Sequence, residues 1–132
     1  MRKFLLLSTV FIVVCFFNLR LAYEDERTPN IEGEWSITIN FISGVAHHIA
    51  LIKVKGDTLS GVYKGQFKEG TLRGLIKKNK VDFTGYLKHQ ATHITFHYTG
   101  TIEGDTMKGT VNMGEYWSAI WTARRVYKRE KE

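Results

Sequence analysis

From Glu32 onward apolar and polar residues alternate with a period of two, the mark of strands with one buried face, and a helical spacing of 3.6 is absent. The clearest run is 34–42, where Trp35, Ile37, Ile39 and Phe41 point one way and Ser36, Thr38 and Asn40 the other. Turn signals follow at short intervals: Ser43-Gly44, Gly56-Asp57, Glu69-Gly70, Asn79-Lys80, His89-Gln90, Gly104-Asp105 and Gly114-Glu115. They delimit eight strands near 34–42, 45–55, 58–66, 70–77, 80–88, 92–103, 106–113 and 117–127. No interval leaves room for a helix of about ten residues. Eight hairpin-connected strands have two open edges, and closing the sheet removes both. The pattern predicts an all-β domain, an eight-stranded antiparallel up-and-down barrel, with a two-sheet sandwich as the alternative.

Within that pattern one short phrase repeats. Gly56-Asp57-Thr58-Leu59-Ser60-Gly61 is echoed by Gly104-Asp105-Thr106-Met107-Lys108-Gly109, and more loosely by Glu69-Gly70-Thr71-Leu72-Arg73-Gly74. In the two close copies Gly-Asp makes a tight turn, Thr opens a strand and an apolar residue points inward. Gly61, Gly74, Gly85 and Gly109 are expected to let strands bend as a small barrel closes.

The beginning of the chain follows a different rule. Arg2 and Lys3 precede an apolar run from Phe4 to Phe17, which ends in the more polar Asn18–Ala22. Residues 1–22 read as a signal peptide, since the run falls short of the roughly 20 residues a membrane span needs. Arg20 spoils the cleavage site, so an uncleaved anchor over Phe4–Leu21 stays open. Residues 23–30, with the only Pro, form a linker; 31–128 form the barrel and 129–132 a charged tail. Cys15 is the only cysteine, so the barrel has no disulfide and packing alone must stabilise it. The expected location is periplasmic or secreted, or membrane-anchored on the outer side.

Composition narrows the function classes. One domain fits in 132 residues, and twelve Gly against one Pro suits many turns. The net charge of +6 falls to +3 without Arg2, Lys3 and Arg20, and much of that remainder is the tail from Arg124 onward. No basic face interleaved with stacking aromatics is evident, so nucleic acid is not an expected partner.

Gly33-Glu34-Trp35 opens the first strand and Trp121-Thr122-Ala123-Arg124-Arg125 closes the last. This pairing resembles the calycin superfamily, the lipocalins and their relatives. The stretch 33–127 also looks like small secreted bacterial barrels with a Gly-Asp-Thr-Met-x-Gly-Thr-Val phrase, here Gly104–Val111. The resemblance implies that Trp35 plugs the closed end of the barrel while a basic residue of the last strand lies across it, Arg125 first and Arg124 second. It also implies a small hydrophobic ligand inside. The chain departs from the family in lacking a disulfide, a long first loop and a helix after strand eight. A barrel this short encloses a modest cavity or is filled by its own side chains.

The inward positions expected are Trp35, Ile37, Ile39, Phe41, His48, Ala50, Ile52, Leu59, Tyr63, Leu72, Ile76, Val81, Phe83, Leu87, Ile94, Phe96, Tyr98, Met107, Val111, Met113, Ala119 and Trp121. Such a lining suits an apolar ligand, and equally a plain aromatic core. The ligand-contacting candidates are Trp35, Ile37, Ile39, Phe41, His48, Tyr63, Phe83, Phe96, Tyr98, Met107 and Trp121. Of these, Tyr63, Tyr98 and His48 could also serve as acid or base. His93 and His97 lie about 13 Å apart along a strand, too far to share an ion, so no metal is expected. No cofactor is expected either, and His48 is the candidate axial ligand should the barrel carry haem. The carboxylates form no acid–base pair, and no nucleophile elbow or phosphate loop is present. Three functions remain. The leading one is an exported binding protein for a small hydrophobic molecule; behind it stand a cyclase- or isomerase-type cavity enzyme and a membrane-tethered interaction subunit. Membrane contact is expected only through an uncleaved N-terminus, and the oligomeric state stays open.

Overall fold

The computed structural model describes residues 28–89, 92–114 and 117–128. The leader 1–22, most of the linker and the tail 129–132 lie outside them. Eight strands follow one another: β1 (Gly33–Phe41), β2 (Gly44–Lys55), β3 (Thr58–Lys64), β4 (Glu69–Lys77), β5 (Lys80–His89), β6 (Thr92–Glu103), β7 (Thr106–Met113) and β8 (Trp117–Arg125). Each pairs antiparallel with the next, and β8 pairs with β1, from Trp35 opposite Arg125 to Asn40 opposite Ile120. The barrel is closed, which excludes the sandwich.

The pairing is staggered, as closure requires. Partners traced from Gly33, at the start of β1, run through Ile52, Gly61, Leu72 and Gly85 to Phe96, near the open end of β6. Several turn assignments shift: the β1–β2 turn is Ile42-Ser43 rather than Ser43-Gly44, and His89 belongs to β5. β3 stops at Lys64, and Gly65–Lys68 form the turn, closed by the Gly65 amide donating to the Lys68 carbonyl at 2.8 Å. Glu69-Gly70 therefore belongs to β4. The β4–β5 turn is Lys78-Asn79, with Lys78 at φ 54°.

The inward set packs as the alternation predicts. Trp35, Ile37, Ile39, Ala50, Leu59, Tyr63, Leu72, Phe83, Tyr98, Met107, Val111 and Trp121 are all buried. Burial weakens toward one end. Phe41, Ala46, Phe96, Met113 and Ala119 are half-buried, and Ile94, expected inside, is exposed. All six lie where β1, β5 and β7 end and β2, β6 and β8 begin, so this end of the barrel is open.

Glycines make room for the rings that fill the interior. A Cβ on Gly85 would lie 2.6 Å from the Tyr63 ring, and one on Gly100 would lie 2.8 Å from the Trp121 indole. Gly109 faces both Gly100 and Trp121 across the ladder. With side chains missing there, the indole reaches the strand backbone, and its Nε1–H donates to the Thr99 and Thr110 carbonyls at 3.1 and 3.0 Å. Gly61 has a φ of 149°, and a Cβ there would sit 1.8 Å from the Leu51 carbonyl.

The opposite end is closed. Ile31 is fully buried, and the Trp35 Nε1–H donates to its carbonyl at 2.8 Å. The Arg125 guanidinium lies 4.7 Å from the Trp35 ring centroid, as the calycin resemblance implies. Arg125 also donates to the Glu32 carbonyl at 2.8 Å, the Asn30 carbonyl at 2.6 Å and the Asp105 carboxylate at 3.1 Å. Arg124 is exposed.

Candidate functional site

Three inward residues on three strands meet below the open end. The alternation of β2, β3 and β6 points His48, Tyr63 and Tyr98 inward, and the register decides that they touch. The Tyr63 hydroxyl bonds the His48 Nδ1 on one side and the Tyr98 hydroxyl on the other. Rings surround this chain: Phe96 meets His48 edge-on at 5.0 Å and Tyr63 at 5.8 Å. Phe83 stacks on Tyr98 at 4.8 Å, and Trp121 closes on Tyr98 at 5.2 Å.

Burial fixes the protonation of the chain. Loss of water pushes the Tyr63 and Tyr98 hydroxyls well above the usual phenol range. It pulls the His48 imidazole below its ordinary 6.5, and the neighbouring His47 adds to that shift. At neutral pH both tyrosines are protonated and His48 is neutral. Only one order spends both hydroxyl protons inside the chain: Tyr98 donates to Tyr63, and Tyr63 donates to the His48 Nδ1. The His48 Nε2 then carries a hydrogen. That nitrogen lies at Gly65, 3.8 Å from where a glycine Cβ would be, on the mouth side of the ring.

The mouth holds a cavity of about 270 Å³, lined by His48, Phe96, Leu87 and Ile94 on the barrel side and by the Gly65–Lys68 turn on the other. Its walls are apolar, and the Nε2–H is a polar handle at their edge. A larger groove of about 790 Å³ lies on the outer face, lined by Glu34, Leu51, Lys53, Val62 and Lys128 among others. Glu34, Leu51 and Val62 are half-buried there, but no buried polar group lines it, so the mouth, with His48 at its edge, is the better candidate site.

Of the residues singled out from the sequence, His48 and Phe96 line the mouth cavity. Tyr63 and Tyr98 stand behind His48. Phe83, Trp121, Ile37 and Ile39 belong to the packed interior, Trp35 and Met107 lie toward the closed end, and Phe41 is half-buried at the open end. The alternation missed the contribution of Gly65, Gln66, Phe67 and Lys68, because the third strand was expected to run through Gln66. Outside the barrel, His97 pairs with Asp82 at 2.7 Å and His47 lies 3.4 Å from the Thr38 hydroxyl. Among the described residues no group of three or more His, Cys, Asp or Glu could hold a metal ion.

No protein-family model matches the chain, and no curated protein matches it either. One solved structure is similar, the Schistosoma mansoni fatty acid binding protein in complex with arachidonic acid. It shares 16% identity at a TM-score of 0.44, over 73% of this chain and 96% of that one. The likeness is distant.

Proposed function

We propose that the protein, acting outside the cytoplasm after export, binds a small hydrophobic molecule that carries a hydrogen-bond acceptor. The apolar mouth cavity with the His48 imidazole at its edge carries this reading. Leu87, Ile94 and Phe96 take the apolar part, and the Nε2–H takes a carbonyl or carboxylate oxygen. Tyr63 holds the imidazole in the tautomer that donates. Size limits the ligand: about 270 Å³ falls below the roughly 300–1,000 Å³ of pockets that enclose a drug-sized molecule, so the guest is small or only partly inserted.

Titration with octanoate, followed by the chemical shifts of His48 and Phe96, tests the site. Saturable shifts at both residues are expected, with affinity about tenfold weaker in His48→Phe, which removes one hydrogen bond. Shifts confined to the outer groove around Leu51 and Val62 would overturn the assignment. A second reading, a cavity enzyme of the isomerase type, is favoured by the chain from His48 through Tyr63 to Tyr98, which could accept and return a proton at Nε2. Tyr63→Phe separates the two. A binding protein keeps its affinity to within a few-fold, whereas the enzyme loses turnover with affinity unchanged.

A further inference from the structure

Large apolar side chains face solvent around the open end: Ile42 and Val45 around the β1–β2 turn, Phe67 in the β3–β4 turn, Ile94 near the start of β6 and Trp117 at the start of β8. Phe67 is 89% exposed and Trp117 67%. The closed-end turns are Gly56-Asp57, Lys78-Asn79 and Gly104-Asp105, with no apolar residue among them. Turns are ordinarily polar because water must solvate their backbone, so Ile42 and Phe67, exposed in the two fully described turns of this rim, need a reason.

We propose that the open rim docks onto the surface of an anionic lipid bilayer, with Ile42, Phe67 and Trp117 entering the headgroup layer. The shape of the patch points to a membrane. Its residues stand on separate turns and strand ends around an aperture and form neither a groove for a helix nor a free strand edge for a peptide. A planar, fluid surface can meet all of them at once. Charge agrees: Lys64, Lys68 and Lys88 lie at this end, against Glu69 among the described residues. A tryptophan beside lysines suits the interface, where an amphipathic ring sits at headgroup depth. Docking in this pose would open the mouth cavity directly onto lipid. The inference extends beyond the ligand-binding reading and fails separately from it, since octanoate binding is measured without membranes.

The test uses the whole chain with vesicles of phosphatidylcholine alone and of phosphatidylcholine mixed with phosphatidylglycerol. Trp35 and Trp121 are fully buried, so Trp117 reports lipid contact. Expected are a blue shift and quenching of Trp117 by brominated lipid, stronger with phosphatidylglycerol and reduced by salt. The double variant Ile42→Ser with Phe67→Ser should bind at least about tenfold more weakly. Its melting temperature should be unchanged, because both side chains are exposed.

Three results would overturn the proposal. One is unshifted, unquenched Trp117. Another is quenching of Trp117 by brominated lipid that is equal in the native chain and the double variant. The last is a dimer in sedimentation velocity that the double variant abolishes, which would give the rim to a second copy of the chain.

Discussion

The two ends of this barrel are built by different forces. At the closed end, every turn is tied to a neighbouring strand: Ile76 donates to the Asp57 carbonyl at 2.8 Å, Ile102 to Asn79 at 2.7 Å and Arg125 to Asp105 at 2.9 Å. The Arg125 side chain then joins Asn30, Glu32 and Asp105 over the Trp35 ring, and Tyr127 donates to the Asp105 carboxylate. Among the described residues the open end has little of this. Its one such turn bond is internal, from Gly65 to Lys68, and its inward side chains are half-exposed. Directional bonds fix one end, while ring packing and solvent-facing apolar groups shape the other. A binding mouth needs the second kind of construction, because a fully tied end has no room and no freedom.

The contrast is sharpest in two residues of the same type. Trp35→Ala should cost roughly 3–5 kcal/mol, since it empties a fully buried plug and strands its hydrogen-bond partner. Trp117→Ala should stay within about 0.5 kcal/mol, the range of an exposed substitution. Urea unfolding of both measures the difference, and equal costs would break the distinction between the ends. Next in size comes Gly85→Ala. Its methyl would press on the Tyr63 ring at 2.6 Å, costing about 1–3 kcal/mol by overpacking. Because Tyr63 links His48 to Tyr98, the same variant should shift the His48 ring resonances in NMR. Unchanged resonances would show that the chain is held by something other than ring packing. Arg125→Met should cost about 1–2 kcal/mol in the same unfolding assay, through lost stacking and carbonyl bonds, and should leave octanoate affinity unchanged.

Much of this division was legible in the sequence, for physical reasons. A barrel wall imposes a period of two, so eight strands and most inward residues emerge from alternation alone, with ends correct to within two residues. The plug was legible through the calycin resemblance carried by Gly33-Glu34-Trp35 and Trp121–Arg125, and closure makes the first and last strands neighbours. Other features depend on register, which alternation does not encode. That His48, Tyr63 and Tyr98 all point inward could be read; that they bond in series could not, because the stagger between strands decides it. Ile94 fits the inward alternation yet is exposed, since it lies at the rim where the wall ends. Gly85 looked like a bend, but its missing side chain makes room for Tyr63, a partner two strands away. The Gly65–Lys68 turn was hidden by a strand signal that runs into it.

The smallest expected effect, the pH dependence of folding, separates the ends by their charges. At the open end, burial holds the His48 pKa below 6.5. As pH falls through 6.5, the unfolded chain binds a proton at His48 that the folded chain resists, so stability declines from there down to the depressed folded value. At the closed end, the Tyr127 hydroxyl and then Arg125 hold the Asp105 carboxyl below 3.8. Its contribution is intact above 3.8 and is lost only as pH falls from there toward the lower folded value. The open end should therefore weaken first. Melting temperatures taken between about pH 7 and 5 should fall for the native chain and fall less for His48→Gln, which cannot titrate. Hydrogen-exchange protection factors, which correct for the intrinsic pH dependence of amide exchange, should fall over the same range at β3 and β6 amides near the mouth, with those around Asp105 unchanged. Loss of protection at Asp105 first, or identical pH profiles for the two proteins, would mean that the buried imidazole does not govern how the mouth responds to acid.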